Sequence, residues 1–106
     1  MDNSEKAKIL RELGGMDEAV YDGLVKDMLG ELPGQIAEIK EFFNQNNFES
    51  VKRVAHCIHG TAANFRVYSI QRVAASLEDA VKTSKGKDDI RSKIGELEKV
   101  IREFTI

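Results

Sequence analysis

The sequence predicts an all-α fold: an antiparallel up-down-up-down four-helix bundle with a short N-terminal helix, built as one domain over residues 1–106. Three observations predict it. Apolar residues recur at alternating intervals of three and four along the long stretches, the period that lines one face of an α-helix. Ala, Leu, Ile, Val, Glu and Lys dominate, with one proline and no tryptophan, a composition that favours helices. No stretch shows the alternation of a half-buried strand, and the polar breaks are short, as between antiparallel neighbours.

Each element follows in order. Residues 4–13 read as a short helix, with Ser4 as its cap and Ile9, Leu10 and Leu13 on its apolar side. Gly14-Gly15 ends it. Asp17 can cap the next helix, whose stripe of Val25, Met28, Leu29, Leu32, Ile36, Ile39 and Phe43 keeps its phase across Pro33. That continuity predicts one bent helix rather than two, although an internal proline costs about 3 kcal/mol. Asn44 to Asn47 is a polar turn, where Asn46 and Glu49 have capping-box spacing. A third helix runs to about Phe65, Ser69 can cap a fourth with Ile70, Val73, Leu77 and Val81 inward, and Ser84 to Asp88 is a loop. Asp88 can cap the last helix, with Ile90, Ile94, Leu97, Ile101 and Phe104 inward.

Composition excludes several classes. Apolar residues make up 42% and charged residues 32%, as in a soluble globular chain. A net charge of −2 gives no general affinity for nucleic acid or anionic membrane. No apolar run approaches the ~20 residues that span a bilayer, and the N-terminal Met-Asp-Asn-Ser-Glu-Lys has no hydrophobic signal region. Cys57 is the only cysteine, so an internal disulfide is impossible and a cytoplasmic location is expected, as is a monomer.

The stretch from Val54 to Phe65 carries the candidate chemistry. Val51, Ala55, Ile58, Ala62 and Phe65 form its buried stripe. At about 100° per residue, His56 lies roughly 130° from the centre of that stripe and points to water. Gly60 and Ala63 lie on its side of the helix and leave it with little cover. Lys52 stands one turn before it and His59 one turn after.

A solvent-facing imidazole can act as nucleophile, general base or metal ligand. As a nucleophile it needs one bare ring nitrogen facing outward, with the other held as a donor so that the tautomer is fixed. Attack on a phosphoryl group needs in-line access and nearby positive charge; Gly60 and Ala63 would allow the approach, and Lys52 or a protonated His59 could supply the charge. The plain alternative is an ordinary surface histidine, since exposed polar residues are the norm. His59, nearer the buried stripe, reads as a boundary residue. A metal site is not expected, because two histidines spaced i, i+3 show no third ligand close in sequence, Glu49 and Glu78 lying elsewhere on the chain. Cys57 has no fixed cation beside it to make it reactive.

The run Val-Ala-His56-Cys-Ile-His59-Gly60-Thr-Ala-Ala-Asn64-Phe65, followed by Ile70, Ala74 and Leu77-Glu78, resembles the histidine-containing phosphotransfer (HPt) domain. That family's signature is His-x-x-Lys-Gly within Ala-His-x-Leu-Lys-Gly-Ser/Ala-Ala, with a later Leu-Glu. Leu13-Gly14-Gly15-Met16-Asp17, Leu32-Pro33 and the polar turn before Phe48 also match, so the likeness covers nearly the whole chain. The resemblance implies a four-helix bundle, His56 as phosphoryl acceptor, Gly60 as room for an incoming aspartyl phosphate, and Glu78 as a carboxylate that orients the imidazole. Two positions depart from the pattern. The usual lysine three residues after the histidine is His59, a weaker attractor of phosphate when neutral, for which Lys52 or Arg66 reaching back could substitute. The usual glycine ten residues after it is Arg66.

The expected function is therefore a phosphorelay carrier. It takes a phosphoryl group from a receiver-domain aspartate of a hybrid sensor kinase and passes it to a response regulator, with no turnover chemistry of its own. The chain itself is expected to bind no cofactor, the Mg2+ sitting on the receiver. Three other readings stand beside it: a receiver-binding adaptor that carries no phosphate, the phosphate-accepting domain of a chemotaxis-type kinase, and a structural bundle. The kinase reading is the less expected because no kinase or dimerisation region follows before Ile106.

Overall fold

The computed structural model describes residues 1–106. Five helices follow one another: α1 (Asn3–Glu12), α2 (Glu18–Asn44), α3 (Phe48–Asn64), α4 (Tyr68–Lys82) and α5 (Lys87–Glu103). No residue is in a strand. α2 packs on α3, α3 on α4, α4 on α5, and α5 returns to α2. The molecule measures 43 × 23 × 20 Å.

α2 is a single helix of 27 residues that includes Pro33. Pro33 is exposed, so water can bond the Leu29 carbonyl that the missing amide leaves without a partner. Leu32 and Ile36, on the opposite face, stay in the core and keep the helix in phase.

Four of the five helices end in the same way. After α1, α2, α3 and α4 the chain turns at a residue in the left-handed region: Gly14 (φ 78°, followed by Gly15, also 78°), Asn46 (φ 57°), Arg66 (φ 60°) and Ser84 (φ 54°). In each case the next amide reaches back to a carbonyl in the last turn: Gly15 to Leu10, Asn47 to Phe42, Val67 to Ala62 and Lys85 to Ala80, at 2.8–3.1 Å. These are Schellman motifs, which satisfy helix-terminal carbonyls that would otherwise lack donors.

Several expected caps lie elsewhere, those of α3 to α5 because of these turns. Asp2, not Ser4, caps α1 by accepting from the Glu5 amide at 2.7 Å. Asp17 caps α2 as expected, accepting from Val20 at 3.2 Å. Asn46 is committed to the turn that ends α2, so Asn47 caps α3 through the Ser50 amide and no capping box forms. Ser69 lies inside α4, whose N-cap is Val67. Val67 is fully buried as the apolar residue that completes the preceding Schellman turn, which leaves no place there for a polar cap. α5 starts one residue before Asp88, from Gly86 at φ 106°; Asp88 and Asp89 occupy its first turn, where their charge suits the positive end of the helix dipole.

Twenty buried apolar residues form one connected core. The predicted stripes supply most of it. Leu29, Val73, Val81, Ile101 and Phe104 lie at its margin, half-buried, while Ala74 and Ala80 are inside. Tyr21, outside the predicted stripe, is fully buried and donates its hydroxyl to the Phe65 carbonyl at 2.6 Å, tying the start of α2 to the end of α3. α1 closes that end: Ile9 is buried, and Lys6 pairs with Asp22 (2.7 Å) and Glu18 (3.7 Å) of α2.

Candidate functional site

α3 and α4 form the most extensive helix pair in the molecule. Both contribute small, fully buried side chains, Ala55 and Ala62 from α3 and Ala74 from α4. Small residues at a contact let helix axes approach closely. Burial of Ile58 and Leu77 fixes the rotation of each helix. Their outward neighbours then meet across the groove: His56 and His59 from α3, Glu78 from α4.

The His56 side chain is 68% exposed. Its Nδ1 lies 2.7 Å from Glu78 Oε2. His59, half-buried, places its own Nδ1 3.2 Å from Glu78 Oε1. One carboxylate thus serves two imidazoles, whose rings stand 6.1 Å apart and nearly perpendicular. An ionised carboxylate only accepts hydrogen bonds, so both Nδ1 atoms are donors and Nε2 of each neutral ring is left bare. Burial pushes the Glu78 carboxyl up, but the hydrogen bonds from His56 and His59 and the charge they can carry outweigh it, and the net position is below the ordinary 4.5. Glu78 is therefore charged throughout the neutral range.

The other sequence-selected residues are placed as follows. Gly60 is exposed, and a Cβ built there would meet nothing within 4 Å; the same holds at Gly23, Gly30, Gly34 and Gly95, so its place one turn after His56 is what distinguishes it. Ala63 is half-buried. Lys52 turns its ammonium to Glu49, 3.2 Å away. Arg66 does not reach back to the imidazole: its guanidinium donates to the Ala63 and Asn64 carbonyls at 3.2 and 3.1 Å and faces Glu12 at 3.7 Å. The guanidinium caps the helix that its own backbone terminates.

Sequence reasoning missed the contact between His59 and Glu78. It also found no third ligand for the histidine pair. The fold supplies one: His56, His59 and Glu78 each offer a donor atom within 4.8 Å of the others. The helical pitch put the two histidines on adjacent turns, but only the rotation of α4 brings in a carboxylate from a different helix.

These features define a class: a small helical module that displays one preoriented imidazole on an open surface, with no enclosed substrate pocket around it. A family model for the Hpt domain matches residues 23–104, from within α2 to just past α5, and the chain belongs to that family. It is a histidine phosphotransfer module of the kind used in two-component phosphorelays, where such domains interact with receiver domains. No curated protein and no solved structure matches the chain. No helix is long and apolar enough to cross a membrane.

Proposed function

We propose that His56 is the phosphoryl acceptor and that Nε2 is the atom modified. The chain would take the group from the receiver aspartate of a hybrid sensor kinase and deliver it to a second receiver, as a monomeric, stoichiometric carrier in the cytoplasm. The observation that carries this reading is the 2.7 Å contact between His56 Nδ1 and Glu78 on an otherwise exposed ring. In the transfer, the Nε2 lone pair attacks phosphorus, the bond from phosphorus to the aspartyl oxygen breaks, and the aspartate leaves as carboxylate. The ring keeps its Nδ1 proton and acquires positive charge, which the Glu78 carboxylate stabilises. Return transfer runs the same steps backwards. The Mg2+ that neutralises the phosphoryl oxygens belongs to the receiver.

The scaffold supports the reading as an antiparallel up-down-up-down arrangement of α2 to α5. Its supports are the closed ring of neighbours, the short links at 45–47, 65–67 and 83–86, and the Tyr21–Phe65 bond between the start of one helix and the end of the next.

Incubation with a phosphorylated receiver tests it. Wild type should gain acid-labile label, and His56→Gln should gain none while keeping its helicity. Label persisting on His56→Gln would move the site to His59. One observation favours a second reading, a receiver-binding adaptor that carries no phosphate: Lys52 is paired with Glu49 and Arg66 with Glu12, so neither cation is turned to His56. Stable receiver binding by wild type without any label would establish that alternative.

A further inference from the structure

His56, His59 and Glu78 converge from two helices, each offering one ligand atom within 4.8 Å of the other two, and both Nδ1 atoms face the same carboxylate. A tetrahedral zinc ion with bonds near 2.0–2.1 Å holds neighbouring ligand atoms about 3.3 Å apart. His56 Nδ1 lies 2.7 Å from Glu78 Oε2 and His59 Nδ1 3.2 Å from Oε1, so each imidazole already faces one oxygen of the same carboxylate. To share one ion, the carboxylate turns toward both rings, and the exposed ring and the half-buried one rotate until the 2.7 Å contact opens. We propose that His56, His59 and Glu78 form a binding site for Zn2+, and that zinc and a phosphoryl group exclude each other at His56. The second half of this proposal rests on His56 being the acceptor; the first half does not.

The donor set selects the class of ion. Two imidazole nitrogens and one carboxylate suit Zn2+, whereas Mg2+ and Ca2+ require oxygen ligands. Two histidines and a glutamate leave a fourth position for water, the pattern of an open zinc site. The residue that completes the set is His59, which stands where the family has lysine. An ammonium at that position would repel the metal; an imidazole held by Glu78 can ligate it.

Exclusion follows from the tautomer. In the metal-free site each Nδ1 carries its proton and donates it as a hydrogen bond to Glu78, which leaves Nε2 of His56 with a free lone pair. Zinc takes the Nδ1 lone pairs. In each neutral ring the proton then moves from Nδ1 to Nε2 through solvent, with no net release. His56 Nε2 becomes an N–H and has no lone pair to attack phosphorus. Conversely, a phosphoryl group on Nε2 makes the ring a cation that keeps its proton on Nδ1 beside Glu78, so zinc must displace that proton to solvent to regain the ligand.

Calorimetric titration with zinc chloride alone, on the full chain, tests the site. Wild type and Cys57→Ser should each bind one equivalent. Removing a residue that only supports a metal ligand costs 10- to 100-fold in affinity, so His59→Gln and Glu78→Gln should each lose about 100-fold or more. Circular dichroism checks that both variants stay helical; should either unfold, 15N spectra of wild type decide alone, with zinc expected to move the His56 proton from Nδ1 to Nε2. Undiminished binding by helical His59→Gln, loss of binding in Cys57→Ser, or an unchanged His56 tautomer at saturating zinc would overturn the assignment. Transfer from a receiver in excess Mg2+ then tests exclusion: label on wild type should fall with zinc and return with a zinc-selective chelator. Label undiminished at saturating zinc would overturn exclusion while leaving the site intact. Absence of label without zinc, with Mg2+ kept in excess, would instead remove the acceptor reading and leave zinc binding standing.

Discussion

Glu78 Oε2 lies 2.7 Å from His56 Nδ1, so a carboxylate on α4 decides which nitrogen of an α3 imidazole is left bare. Glu78→Gln keeps the side chain's shape and removes its charge. A hydrogen bond to a charged group contributes about 1.5–3 kcal/mol, and the exposure of His56 puts this one near the low end. The transfer rate should fall roughly 10-fold, read from single-turnover labelling by a phosphorylated receiver. An unchanged rate would leave Glu78 no part in orienting the ring.

The same carboxylate sets a dependence of stability on acid. Its pKa is lowered in the folded state by hydrogen bonds from His56 and His59. A depressed carboxyl contributes folding free energy above its unfolded value, and loses it as pH falls through the folded one. Urea unfolding of wild type and Glu78→Gln should therefore show a wild-type advantage at pH 6 that shrinks as pH falls below the ordinary 4.5. An advantage that grew on acidification would contradict the direction of the shift.

Scaffold and site should separate cleanly under substitution. Leu97 and Ile58 are essentially inaccessible in the core, so Leu97→Ala or Ile58→Ala should each cost about 2–5 kcal/mol. His56→Gln, at a side chain 68% exposed, gives up its bond to Glu78 and should cost no more than about 1.5 kcal/mol. Chemical denaturation measures all three. A His56→Gln loss as large as that of Leu97→Ala would mean the histidine is structural.

Arg66 holds φ 60°, a conformation that costs a residue bearing a Cβ about 1–2 kcal/mol. Arg66→Gly removes that strain together with the guanidinium's bonds to Ala63 and Asn64 and its pairing with Glu12. The two effects nearly cancel, so the variant should lie within about 1 kcal/mol of wild type. Arg66→Val loses the same bonds and adds a β-branched side chain where the backbone is left-handed. It should unfold at least about 1–2 kcal/mol earlier than Arg66→Gly. Equal stability of the two variants would show that the turn imposes no strain.

Much of this protein was legible in its sequence because burial and helical pitch act locally. A residue's place on a stripe depends only on its neighbours three and four positions away. That is why the core faces of α2 and α5, the continuity of α2 through Pro33 and the exposure of His56 were all predictable. The helix starts were less so. Asn46, Ser69 and Asp88 have good capping chemistry, but where one helix ends fixes where the next can begin, and three tight Schellman turns assigned those residues to other roles.

By itself the sequence determined that the chain forms helices, which faces they bury, and that one imidazole is turned to water. Only the tertiary structure decided what that imidazole touches. Glu78 is 22 positions from His56, and nothing in helical periodicity measures the rotation of one helix against another. That rotation is set by how Ile58, Leu77 and the small alanines of α3 and α4 fill their shared core. It turns an acidic residue on one helix into the partner of two histidines on the next.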